Sequence, residues 1–79
     1  MSSIIVVRAQ WDPEAEVWVA TSDDVAGLVA EADTQEALIA KLHDLIPELI
    51  ELNGGSFGGL PEVPLVVMSE QVSKVRIRA

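Results

Sequence analysis

The chain has no cysteine and no tyrosine, a single histidine, and only five lysines and arginines among its 79 residues. Without cysteine there is neither a disulfide framework nor a thiolate zinc site, so a domain this small must rely on packing or self-association. A membrane-spanning helix needs about 20 consecutive apolar residues, and no run in the sequence approaches that. The opening "MSSIIVVRAQW" lacks the basic start and small-residue cleavage site of a secretory leader, which makes the cytoplasm the expected compartment. The shortage of cations excludes most. Residues 1–73 set thirteen acids against Arg8 and Lys41, a net of −11, and Lys74, Arg76 and Arg78 then bring the chain to −8. An acidic body repels phosphates, so direct binding of nucleic acid is not expected, whereas a basic protein partner is compatible.

What the chain does have is periodicity. An apolar share of 49% excludes disorder, and the length predicts a single domain over residues 1–79. Residues 3–11 are rich in β-branched side chains and end at Asp12-Pro13, a turn signature. Residues 16–22 read as a second strand with Val17, Val19 and Thr21 on one face and Trp18, Ala20 and Ser22 on the other. The two runs predict an antiparallel hairpin. "DDVAG" is the next turn, with Gly27 supplying an unusual backbone angle, and "LVAEA" a short third strand.

The period then changes. Leu38, Leu42, Leu45, Leu49 and Leu52 follow one another at spacings of 4, 3, 4 and 3, widened by Ile39, Ile46 and Ile50. This predicts an amphipathic helix over about 34–52, capped by Asp33 in a capping box with Glu36 and stopped by Asn53-Gly54. Pro47 lies inside it and predicts a kink, the alternative being a break into two helices. A glycine-rich connector follows, in which Phe57 is expected to anchor the loop to the core. The last segment returns to β-rich sequence, with Val75 and Ile77 alternating with Lys74, Arg76 and Arg78. The order β-β-β-α-β predicts an α+β fold, a mainly antiparallel sheet with the one helix packed on one face.

Candidate chemistry reduces quickly. Asp23, Asp24, Glu31 and Asp33 surround Gly27 and superficially suggest the oxygen ligands of a metal. Adjacent acids point to different sides and Asp33 belongs to the helix start, so turn and cap roles explain them and no metal site is expected. His43 stands off the leucine stripe and lacks a nucleophile beside it, so no catalytic residue is assigned. "NGGSFGGLP" has a helix before it and a strand after it, the reverse of a phosphate-cradling loop, and no cofactor is expected. Trp11 and Trp18 flank the first turn; on an acidic chain they read as core or interface anchors rather than base-stacking platforms.

An acidic turn ending in Gly27, a short strand, then Asp33-Thr34 followed by Glu36-Ala37 resembles the HicB antitoxin pattern. In that family a Pro-Asp-x-Pro-Gly turn precedes a strand and a Gly-Asp-Thr-x-Glu-Glu-Ala helix start. Ala26 stands where the family often has proline, Ala32 replaces the glycine and Gln35 the first glutamate. The resemblance covers residues 4 to about 70, and Trp11-Asp12-Pro13 through Leu28 is its most specific part, similar to a short HicB-like branch without a DNA-binding domain.

The resemblance implies a degenerate ribonuclease-H-like fold that binds rather than cuts, and a small basic HicA-like RNA-cleaving toxin as partner. With seven residues after Val72, no operator-binding domain is expected. The partner-binding candidates are Trp11, Trp18, Asp23, Asp24 and Glu31. A second expectation is self-association into a homodimer or higher homo-oligomer, with Val72, Val75 and Ile77 at an exposed strand edge. A third, metal-dependent nuclease reading would use Asp23, Asp24 and Glu31.

Overall fold

The computed structural model describes residues 4–54 and 61–78, which form an α+β unit in the order β-β-β-α-β. The elements are β1 (Ile5–Asp12), β2 (Val17–Thr21), β3 (Val29–Ala32), α1 (Gln35–Leu52) and β4 (Leu65–Glu70). They build one four-stranded sheet in the order β3-β2-β1-β4. The hairpin is as expected, with Trp11 opposite Trp18 and Ala9 opposite Ala20. β3 adds antiparallel to β2, pairing Ala20 with Ala30. β4 instead pairs parallel to β1, Ile5 with Leu65 through Gln10 with Glu70, so the mainly antiparallel sheet is mixed at one edge. Phe57 lies outside the described residues.

The first turn is held by its own aspartate. One Asp12 side-chain oxygen accepts from the amides of Glu14 and Ala15, at 3.0 and 3.2 Å. The chain then re-enters the sheet through Glu16, a non-glycine residue at φ 56°.

Strand alternation sorts the sheet into two faces. One carries Ile5, Val7, Ala9, Trp18, Ala20, Ala30 and Ala32, all buried. Small residues dominate the middle of this floor, which lets the helix approach closely. Leu38, Leu42 and Ile46 are the helix residues seated on it.

The rest of the leucine stripe follows an α-helix rather than a strict heptad. A seven-residue repeat drifts by about 20° per step. Leu38 is accordingly buried, Leu45 half-buried and Leu52 81% exposed. Leu52 and Ile39, expected on the apolar stripe, therefore face solvent.

Thr34, not Asp33, is the N-cap: its hydroxyl accepts from the Ala37 amide at 3.0 Å, and Asp33 sits one residue outside. Both residue types cap well, and the residue placed three ahead of a free amide takes the role. Glu36 then lies in the first turn, where its negative charge complements the positive end of the helix dipole. The helix runs unbroken through Pro47, whose exposed position directs the missing hydrogen bond toward water, so the two-helix alternative does not occur. Asn53 and the left-handed Gly54 close it, with the Gly54 amide donating to the Glu51 carbonyl at 3.1 Å.

Candidate interaction surface

The five residues expected at a partner site do not form one patch. Trp11 and Trp18 lie on the helix face at the hairpin end, with ring centroids 5.4 Å apart and planes tilted by 60°. Trp18 is 9% exposed and Trp11 half-buried, so the pair closes that end of the core. It also walls an open groove of 360 Å³ against Asp33 to Glu36 and Gln71. The Ser69 hydroxyl donates to the side-chain oxygen of Gln35, one of the groove residues, at 2.7 Å, joining β4 to the helix start.

Asp23 and Asp24 lie at the opposite end, beside the start of β1. Here the structure gives the acidic turn a role that its spacing alone did not disclose. The Val6 amide donates to Asp24 Oδ2 at 2.8 Å, and the Ser22 hydroxyl donates to the Val6 carbonyl at 2.6 Å. Ser22 also accepts from the Asp24 amide at 3.0 Å. The β1–β2 ladder ends at the Arg8–Thr21 pair, and these two side chains supply the hydrogen bonds that a longer β2 would have made.

Beyond them the chain turns inward. Val25 and Leu28 are 2% and 3% exposed, and the Leu28 amide donates to the Val25 carbonyl at 3.2 Å. That closes a turn with Gly27 at φ 80° in its third position, the type II geometry that favours glycine. A methyl group added at Gly27 would meet Leu49 at an ordinary 4.0 Å, so the backbone angle and not space selects glycine. Asn53, from the helix end, donates to the Ala26 carbonyl at 3.2 Å.

Glu31 belongs to neither end. Its carbonyl accepts from the Lys41 ammonium, while its exposed side chain projects from the sheet face opposite the helix, beside Val19. That second face is the largest feature not singled out from the sequence. The register aligns rows Val66–Val6, Met68–Arg8–Thr21–Val29 and Glu70–Gln10–Val19–Glu31 across it. The helix packs on the other side, and Val29, Met68 and Val66 are 64%, 56% and 40% exposed. The alternation of Val17 and Val19 with Trp18 and Ala20 was the available signal, since both faces of β2 are apolar.

Catalytic groupings are not assembled from the acids. Asp24 is engaged with Val6, and Glu31 stands on a different face. Among the described residues no three His, Asp or Glu side chains are grouped so as to hold one metal ion. His43 is exposed on the helix. No described helix is long and apolar enough to cross a membrane.

The chain is similar to a solved structure, the hypothetical protein TTHA1013 from the extremely thermophilic bacterium Thermus thermophilus. The two are 46% identical over 94% of this chain and 99% of that one, with a TM-score of 0.68. No curated protein matches. A family model described as a domain of unknown function (DUF1902) matches residues 4–79, and the chain belongs to that family.

Proposed function

We propose that the chain is a protein-binding module that presents its open sheet face to a small basic protein in the cytoplasm, as a HicB-like antitoxin masks a HicA-like toxin. The open face carries the reading: exposed Val29, Val66 and Met68 share it with Arg8 and with a row that ends in Glu31 and Glu70, on a body with a net charge of −11 through residue 73. Exposed apolar side chains beside a row that ends in two acids, on a strongly acidic body, suit a cationic partner that also buries carbon, with the net charge steering encounter. The turn and helix-start motif that resembles HicB sits in residues 24–37, and its Asp24 and Gly27 shape the edge from which that face begins.

The face binds and does not cut, because its acids are spread over separate strands. Ser22, Asp24, Val25, Gly27 and Leu28 serve the fold, which leaves Asp23 and Glu31 as the acids of the original set free to meet a partner. The test is to co-express the chain with any small basic protein encoded beside its gene and measure rescue of growth and co-purification. Rescue that weakens in Glu31→Lys with Glu70→Lys is the expected result. Failure to bind any such neighbour overturns the reading.

A further inference from the structure

Residues 71–78 leave the fold as an arm. They belong to no strand or helix, and Val72, Val75 and Ile77 are 90%, 80% and 83% exposed. The molecule measures 58 × 26 × 18 Å with a radius of gyration of 15.1 Å, against about 12 Å for a compact chain of this length. The cause is topological. β4 follows β1 in the register Gln10 to Glu70, and β1 ends at Asp12, so within two residues the arm outruns its neighbour. Its sequence nevertheless continues the alternation of a strand, Val75 and Ile77 between Lys74, Arg76 and Arg78. A strand pattern contributes nothing without a strand beside it. β4 has the matching need, because among the described residues it is the outermost strand on its side, with no strand paired to its outer edge.

We propose that two copies of the chain associate along this edge, β4 and the arm of one pairing antiparallel with β4 and the arm of the other about a two-fold axis at Val72. Such an axis sets Val72 against Val72, Glu70 against Lys74, and Val67 against Ile77. Each of these pairs is complementary: apolar on apolar and acid on base. Val67, half-buried at the rim of the core, gains the cover of the second copy's Ile77. Of the three apolar arm residues only Val75 meets a polar side chain, Ser69. An axis one residue later, at Ser73, sets Val72 against Lys74, Val75 against Gln71 and Ile77 against Ser69, which leaves all three apolar side chains opposite polar ones.

The occupant is a second copy because the same fourteen-residue segment, 65–78, supplies both members of every pair. It also joins three cations per arm to a body of net −11. The contact is isologous and closes as a dimer. It leaves the open faces of both copies side by side, with Lys74, Arg76 and Arg78 of one opposite Glu70, Met68 and Val66 of the other.

Light scattering on the full chain at tens of micromolar is expected to give twice the 8.5 kDa of one chain. Val75→Asp with Ile77→Asp is expected to give the single-chain mass with the helical circular dichroism signal and the unfolding transition retained. Because the chain has no cysteine, Val72→Cys provides a lone reporter. Opposed residues in an antiparallel pair have Cα atoms about 4.5–5.5 Å apart, within the span of a disulfide. Oxidation should therefore cross-link Val72→Cys into a covalent dimer faster than Ala40→Cys, which lies on the exposed side of the helix.

A monomer throughout this range, a dimer that survives the double arm substitution, or equal cross-linking of the two cysteine variants would each overturn the proposal. So would unfolding of the arm variant, which would place the arm within its own chain's core.

Discussion

Residues 22–28 and residues 71–78 are of similar length and neither contains a strand or helix, yet one is packed into the fold and the other is exposed. In the first, Ser22 and Asp24 hold Val6, Gly27 sets the turn, Asn53 holds Ala26, and Val25 and Leu28 are buried. In the second, three apolar side chains are at least 80% exposed. The sequences invert what intuition suggests. The fixed segment, "SDDVAGL", has no period, whereas the arm alternates like a strand. Periodicity states a demand for a partner, and side chains that meet backbone groups state that the demand is already satisfied.

The largest expected effect breaks the comparison at its apolar end. Leu28→Ala removes a side chain that is 3% exposed, and buried leucine truncations destabilise by about 2–5 kcal/mol. Ile77→Ala, measured in urea at a concentration low enough to keep chains apart, should change stability by less than about 0.5 kcal/mol, as surface substitutions do. Equal losses in the two variants would show that the arm is as integrated as the loop.

The next effect concerns the hydrogen bonds. Asp24→Ala leaves the Val6 amide without its partner, a loss of about 1–2 kcal/mol for a bond to a charged acceptor on the surface. Faster hydrogen exchange at the Val6 amide would accompany it. Asp24→Asn keeps an acceptor oxygen and should retain most of the stability. Asp23→Ala, whose side chain is exposed and makes no hydrogen bond among the described residues, should be neutral in unfolding and weaken only a basic partner. If Asp23→Ala destabilised the fold as much as Asp24→Ala, the division between a structural and a free aspartate would be wrong.

Legibility followed sequence distance. The hairpin, the third strand, the helix span and its Asn53-Gly54 stop all rest on neighbours within a few residues, where period and turn chemistry decide. The Asp24–Val6 bond joins residues 18 apart and replaces a ladder rung, so no local rule announces it. Parallel pairing of β4 with β1 was equally hidden, because a strand's pattern does not reveal its neighbour's direction. For the candidate site, Trp11 and Trp18 were read as anchors flanking the first turn; that their rings meet, and that the length of β1 separates them from Asp23 and Asp24, follows only from the three-dimensional arrangement. The open face was invisible as a unit because its rows draw one or two residues from each strand.

The smallest effects lie in the two left-handed residues, which sharpen what it means for a turn to be specified. Gly27 and Glu16 have φ of 80° and 56°. A side chain in this region carries a penalty of about 1–2 kcal/mol that glycine escapes, so Gly27→Ala should destabilise by about 1 kcal/mol although its methyl would clash with nothing. Glu16 already bears that strain. It persists because the Glu16 amide donates to the Asp12 carbonyl at 2.8 Å and Asp12 holds the rest of the turn. Glu16→Gly should therefore stabilise, but by less than the strain relieved, because glycine loses about 0.5–1 kcal/mol more conformational freedom on folding. A small rise in the urea midpoint with an unchanged slope is the expected reading. A fall instead would mean that the Glu16 side chain, and not its backbone, holds the hairpin closed.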